Sequence, residues 1–475
     1  MALSTSHGAI DRAFRIALGD LYSSTVLYRS GLIEKPSPMI MAGLDYDDPW
    51  TRDAAINCWN GCSLLAPPIA RNTLLGVIES KQGGPQIAGQ YWDKIIWATG
   101  AWHHYLVAGD REFLSIAAQA TLSTLRQLEE DEFDAEIGLF RGGACFQDGV
   151  AGYPDRYVRG HHSSGPITVW AEANPTDRSM PGAGLPMMAG STNCLYYSAY
   201  RCAALMTAAL GLKGSAILDE KARRLSESIV RHFWDDASAQ FAYLIDPWEV
   251  CRHQEGLGLS FALLFGVLDG AQAERAIVAQ HITPQGIPCV WPSFRRYRTP
   301  DGWGQGRHSG TVWPHVQGFW AEAVARQSRV DLLANEILAL AGNATRDAQF
   351  TEIYHPDTGA IYGGRQEHTK EGAIGEWRSC RRQTWSATAF LRMMLHGVLG
   401  MRFDENGVSW EPCLPAGIGP VRLQGLPYRG AIFNIDLSGS GRRICSFTVN
   451  GVAQNEPRIL GVCSGDQSLE IVVEP

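Results

Sequence analysis

Apolar residues recur at helical spacing through most of the first 400 residues. Over 192–210, Leu195, Ala199, Ala203, Met206 and Leu210 share one stripe, and over 216–233 Leu218, Ala222, Leu225, Ile229 and Phe233 do the same. Such spacing predicts amphipathic helices. The short turn Gly211-Leu212-Lys213-Gly214 separates the two and makes them a helical hairpin. The pattern returns over 53–65 and 70–80, 93–107 and 111–130, 255–266 and 271–280, and 312–326 and 330–340, and it closes with 383–399. Asp110 stands where it can cap the helix that begins at Arg111. These segments make about eleven helices, mostly in hairpins, against the twelve of a ring of six pairs.

Between the hairpins lie long loops, notably 138–190 and 283–310, rich in Gly, Pro, Trp, Tyr and His. Long loops in a compact domain are usually functional, and these fall on one side of successive hairpins. After about Gly400 the pattern changes to alternation: residues 431–437, then Phe447 and Val449 ahead of the hairpin turn Asn450-Gly451, then Leu469, Ile471 and Val473. The expected organisation is mainly α, an (α/α)6 toroid of helical hairpins over 1–400. A small β domain over 401–475 is expected to pack on it.

Composition narrows the function. The chain has 475 residues, 45% apolar, with 15 Trp, enough for a large core and for flat apolar faces that suit sugars. A net charge of −8 leaves no basic footprint for nucleic acid or an anionic membrane, so a small neutral substrate fits better. The first residues lack a charged n-region followed by an apolar stretch, and no run reaches ~20 apolar residues, so neither a secretory signal nor a membrane span is expected. Eleven scattered Cys, an odd number, argue for reduced thiols and a cytoplasmic setting. Cys58 and Cys62 share a helix face without partners at zinc-like spacing, so no metal is expected. No cofactor is expected either: a phosphate-binding P-loop, a Gly-x-Ser-x-Gly elbow and a His-Glu-x-x-His motif are all missing. A homo-oligomeric state is left open.

Hydrolysis of a glycosidic bond needs one carboxylic acid for the leaving oxygen and a second carboxylate as nucleophile or base. Candidates are Asp and Glu set in Gly- and aromatic-rich loops. Asp148 lies in Gly142-Gly143-Ala144-Cys145-Phe146-Gln147-Asp148-Gly149, where apolar neighbours are expected to raise its pKa for acid duty. A plain turn Asp before Gly fits the same pattern. Glu352, in Phe350-Thr351-Glu352-Ile353-Tyr354-His355-Pro356, competes for the base role with Glu371 and Glu376, and read alone it also suits a helix end. Glu255, in His253-Gln254-Glu255-Gly256, is a further loop carboxylate. Trp50, Arg52 and Asp53 offer an apolar face with fixed donors and acceptors for sugar hydroxyls. His308 and Trp313 flank the start of another helix, whose Pro314 suits a first turn.

Several of these segments resemble six-hairpin glycosidases. Asp48-Pro49-Trp50-Thr51-Arg52-Asp53 resembles the Trp-x-Arg-Asp signature of glycogen-debranching α-1,6-glucosidases. His308-Ser309-Gly310-Thr311-Val312-Trp313-Pro314 is similar to their His-Asn-Gly-Thr-Val-Trp-Pro, with Ser309 in place of Asn. Gln383-Thr384-Trp385-Ser386-Ala387 resembles their Gln-Ala-Trp-Ser-x-Ala, and residues 410–430 resemble their terminal β region. The resemblance implies the (α/α)6 toroid and an inverting mechanism. It makes Asp148 the acid, because Phe146-Gln147-Asp148 matches their Trp-Met-Asp. Residues 350–359 resemble the base segment of processing α-glucosidase and mannosylglycerate hydrolase relatives, which makes Glu352 the base. Debranching enzymes carry theirs nearer the Gln-x-Trp-Ser helix, which favours Glu371 or Glu376. The expected substrate-binding set is Trp50, Arg52, Asp53, Glu255, His308, Trp313, Gln383 and Trp385, around a terminal α-glucoside. Inverting phosphorolysis on the same toroid and a toroid that binds sugar without chemistry are the alternatives.

Overall fold

A computed structural model describes residues 1–158, 167–173, 184–367, 373–461 and 463–475. Twelve helices of seven residues or more occur among these described residues. They are α1 (Gly8–Ser23), α2 (Thr51–Asn57), α3 (Pro67–Leu75), α4 (Tyr91–Ala108), α5 (Arg111–Glu132), α6 (Gly190–Ala209), α7 (Ser215–Phe233), α8 (Gly256–Leu264), α9 (Gly270–Val278), α10 (Pro314–Arg326), α11 (Val330–Asp347) and α12 (Thr384–Arg392).

The helices fall into two kinds, distinguished by how much of their surface is buried. α7 has one apolar face, with Ala222, Leu225, Ile229 and Phe233 buried, while Glu220, Arg223, Arg224 and Glu227 pair on its solvent side. α10 is buried from Pro314 through Ala325, and α12 along its whole length. A helix with one buried apolar stripe lies outside, and one buried all round lies inside, where its polar side chains need partners. The packing follows this division. α2 packs on α4, α4 on α6, α6 on α8, α8 on α10, α10 on α12, and α12 again on α2. α7 covers α6 from outside, α11 covers α10, and α1 covers α12.

This circuit gathers the starts of its six helices. Arg52 and Asp53 stand in the first turn of α2, Asp93 in that of α4 and Ser191 in that of α6. Glu255, Trp313 and Gln383 are the residues that cap α8, α10 and α12. Helix N-termini carry partial positive charge, which favours the acidic groups collected there.

The structure corrects several of the expected elements. α1 is the helix that the pattern count lacked, although Ile10, Ala13, Phe14, Ala17 and Leu21 are a buried stripe of the ordinary kind. The helix expected over 70–80 stops at Leu75, since Gly76 follows and Ile78–Lys81 pairs as a strand with Gly84–Ile87. The helix expected to end at 340 runs on to Asp347. Two inner helices widen into π turns, at Cys58–Cys62 and Met393–Val398. Asp110 caps α5 as expected, accepting from the Phe113 N–H at 2.9 Å.

Past α12, strands Val421–Tyr428, Ala431–Gly439, Gly465–Glu474, Arg443–Val449 and Val452–Ala453 form a sheet in that spatial order. Alternate positions point inward, with Phe433, Ile435, Leu437, Leu469, Ile471 and Val473 buried. Asn450 (φ 52°) and Gly451 (φ 76°) make the tight turn that the Asn-Gly pair predicts. One edge strand comes from the other end of the chain: Ala2–Ser4 pairs antiparallel with Val421–Tyr428, and three residues are too few to show a period. Arg429 ties the sheet to the helices by donating to the Leu106 carbonyl at 2.6 Å. Among the described residues no helix is long and apolar enough to cross a membrane.

Candidate active site

A pocket opens where the inner helices begin. Trp50, Arg52, Asp53, Asp148, His308, Trp313, Glu352, Gln383 and Trp385 line it, together with Tyr46, Phe146, Gly149, Arg307, Gln366 and Trp377. Nine of the residues singled out in the sequence are therefore brought to one place. Glu255 is not among them: it is buried behind the pocket wall, which corrects the expectation that it touches substrate. Glu376 stands exposed on the strand Ile374–Glu376, opposite Arg365, and does not line the pocket. Glu371 lies outside the described residues.

Arg52 organises one side. Its Nη1 donates to both carboxylate oxygens of Asp93, at 3.2 and 3.1 Å, and its Nη2 to Asp148 Oδ2 at 3.1 Å. Trp50 covers its guanidinium at 5.0 Å. Asp148 keeps about a third of its side chain exposed (34%), and His308 Nε2 is 3.9 Å from its Oδ1. Burial pushes the Asp148 carboxyl up, but the charges of Arg52 and Arg307 outweigh it and hold the group below its ordinary value. The expectation of a raised Asp148 is thus reversed in the open pocket: the apolar neighbours are present, but so is a guanidinium at hydrogen-bond distance. His308, stacked on Trp313 at 4.9 Å, is pushed down to about 3 by burial and is neutral.

The raised carboxyl of the pocket is Asp53. Burial lifts it to about 8 against the pull of Arg52, helped by the neighbouring Asp93, Glu352 and Asp148 charges. A protonated Asp53 both donates and accepts hydrogen bonds, which suits a sugar hydroxyl. Gln383 Nε2 reaches its Oδ1 at 3.4 Å.

Glu352 faces the pocket from a loop, not from a helix end, and is almost fully buried (3%). Arg307 Nη2 donates to its Oε2 at 2.8 Å, the Cys380 N–H to the same oxygen at 3.3 Å, and the Tyr46 hydroxyl to Oε1 at 3.1 Å. Arg307 is itself held between two indoles, Trp313 at 5.4 Å and Trp377 at 5.6 Å. Sequence reading missed Arg307 although it directly precedes His308, and Tyr46 although it sits in the acidic run ahead of Trp50. Gln366, buried beside Gly149, carries no local signal.

Comparison with known proteins places this arrangement among the glycoside hydrolases. Residues 79–386 match the mannosylglycerate hydrolase MGH1-like glycoside hydrolase domain, and the chain belongs to that family. Among solved structures it resembles a GH63 mannosylglycerate hydrolase from Thermus thermophilus in complex with glucose (TM-score 0.57, 16% identity, covering 80% of this chain and 99% of that one). It also resembles a sialidase (TM-score 0.65, 14% identity, covering 90% of this chain) and a GH78 rhamnosidase of Bacillus sp. GL1 (TM-score 0.55, 15% identity, covering 100%). The chain spans only 37% and 44% of those last two proteins. No curated protein matches the sequence.

Proposed function

We propose that the chain is an inverting hydrolase of a terminal α-glycosidic bond, built on an (α/α)6 toroid, with Asp148 as general acid and Glu352 as general base. One observation carries this reading: two carboxylates far apart in sequence face one Trp-lined pocket, each held by its own arginine. The closed circuit of inner helices and the outer helices packed on it support the toroid. The Arg429 bond to Leu106 supports a β domain over 401–475 packed against it.

In this mechanism Glu352 takes a proton from a water as that water attacks the anomeric carbon. The bond from that carbon to the leaving oxygen breaks, and the oxygen receives the proton of Asp148. Asp148 has to be loaded with that proton first. Arg52 opposes loading in the open pocket, but burial is the largest influence on the group and acts upward. A sugar that excludes water from the exposed third of Asp148 adds to the upward push. Neutral Asp53, Gln383 and the indoles of Trp50, Trp313 and Trp385 hold the glycone.

The resemblance to debranching and processing glucosidases favours an α-glucoside, and the matched family's name brings forward mannosylglycerate. A panel of α-glucosyl and α-mannosyl disaccharides and glycerates, with the product anomer followed by proton NMR, tests both. Release of the β-anomer first, and a loss of roughly 10²–10⁴-fold in kcat in both Asp148→Asn and Glu352→Gln, are expected. Retention of near wild-type turnover in both variants overturns the assignment. Turnover that requires inorganic phosphate replaces hydrolysis by phosphorolysis. The eleven unpaired cysteines support placing the enzyme in the cytoplasm.

A further inference from the structure

The loop that carries Asp148 is held from behind. Gln147, the residue before it, is fully buried and turned away from the pocket. Its Nε2 donates to Glu255 Oε1 at 3.0 Å, and the Tyr243 hydroxyl meets its Oε1 at 2.8 Å. The same hydroxyl lies 2.7 Å from the Gly152 carbonyl, on the far side of Asp148. The Tyr153 hydroxyl donates to the Gln147 carbonyl at 2.6 Å and accepts the Ala144 N–H at 2.9 Å. Ser191 Oγ accepts the Cys145 N–H at 3.1 Å. The loop needs such restraint, because Phe146 sits at φ 56°, a left-handed conformation that an aromatic residue rarely adopts. Burial lifts the Glu255 carboxyl to about 8. A neutral group can remain in this buried position beside the loop without a countercharge.

We propose that Glu255, Tyr243 and Tyr153 form a positioning clamp that acts on Gln147 and thereby aims the Asp148 carboxyl at the leaving oxygen. This rests on the reading of Asp148 as the acid. Glu255 is a positioning residue in this scheme and touches no part of the substrate. Its worth lies in geometry, since a displacement of about 1 Å at a reacting group costs on the order of 10²-fold in rate.

The test uses the dependence on leaving group. A methyl α-glycoside needs full protonation of its leaving oxygen, whereas a 2,4-dinitrophenyl α-glycoside leaves without it. Both are made as the glucoside and the mannoside. In Glu255→Leu, kcat on the methyl glycoside is expected to fall roughly 10–100-fold with KM changed by no more than about threefold. On the dinitrophenyl glycoside it stays within about threefold of wild type. Glu255→Gln keeps an acceptor for Gln147 and restores the methyl glycoside rate. Tyr243→Phe removes only a hydroxyl and repeats the selective loss, should the leucine variant not fold. Equal loss on both substrates, or no loss on either, overturns the clamp. Asp148→Asn is run alongside. If it still hydrolyses the methyl glycoside, the acid assignment fails; if it is inactive there while Glu255→Leu is unimpaired, the clamp alone fails.

Discussion

Two inner helices run from the pocket to a second gathering of charge, and the two places treat charge differently. α10 and α12 begin at the pocket, with Trp313 and Gln383. Nine residues further on, roughly 13 Å along each axis, Glu322 and Arg392 form a sealed ion pair at 2.6 Å, each about 1% exposed. Arg326 and Arg402 also turn to Glu322, and Arg392 lies over the rings of Trp59 and Phe319 at 4.3 Å. Burial pushes the Glu322 carboxyl up, but its three arginines hold it well below its ordinary value. The central pair of that cluster is closed to solvent, and Arg392 Nη1 also donates to Asn60 Oδ1 at 3.1 Å. At the pocket end the arginines are likewise paired, but Asp148 remains partly exposed and Asp53 is protonated. Charge paired away from water makes a structural joint. Charge left accessible, or neutralised by burial, is what chemistry can use.

Removing one charge at each end sharpens this contrast most. Asp148→Asn is expected to cost roughly 10²–10⁴-fold in kcat and, since its pair with Arg52 is partly exposed, to lower the thermal unfolding midpoint only slightly. Glu322→Leu is expected to cost about 3–5 kcal/mol of stability, because it strands buried guanidinium groups. Urea unfolding reads that loss. A Glu322→Leu protein as stable as wild type would show that the cluster is not the joint described.

A smaller effect tests the arginine of the base. Arg307→Lys keeps the charge but loses the planar group held between Trp313 and Trp377. A fall in kcat of about tenfold is expected from misplacement of Glu352, with Tm nearly unchanged. Steady-state kinetics on the active glycoside checks it.

Smaller again is a pH effect outside both ends. Burial raises Glu336 from 4.5 to about 8, against hydrogen bonds from Gln317 and the Ile287 N–H. Between those values the native state holds a proton that the unfolded state has released. Its contribution to stability is therefore full below about 4.5 and fades as pH rises toward 8. Glu336→Gln should then gain on the order of 1 kcal/mol over wild type at about pH 8.5 and nothing near pH 4.5. Urea midpoints at the two pH values decide this. The smallest effect is expected from exposed Glu376: Glu376→Gln should change kcat by less than about twofold. A loss of 100-fold or more there would move the base away from Glu352.

Much of this molecule was legible in the chain. The stripe of α7 marks it as an outer helix, since burial on one face needs an amphipathic pattern, whereas α10, buried on nearly every face, carries His315, Gln317 and Glu322 and shows no such mark in its sequence. Asp148, Glu352, Trp50, Arg52 and His308 stood out because they sit in Gly- and aromatic-rich loops or at helix starts. Glu255 stood out for the same reason and was misplaced. A loop carboxylate beside glycine looks alike from either side of a pocket wall. Gln366 and Tyr46 were passed over because each acts through a partner hundreds of residues away.

The chain alone determined the helix periods, the alternating strands near its end and the set of carboxylates able to act, because these depend on neighbours within a few positions. Tertiary structure decided which carboxylates share a pocket and which one keeps its proton. Arg52 reaches Asp148 across 96 positions and holds it ionised, while burial leaves Asp53, beside that arginine in the chain, protonated. Protonation follows the local field and the access of water, and both arise only when distant segments pack together.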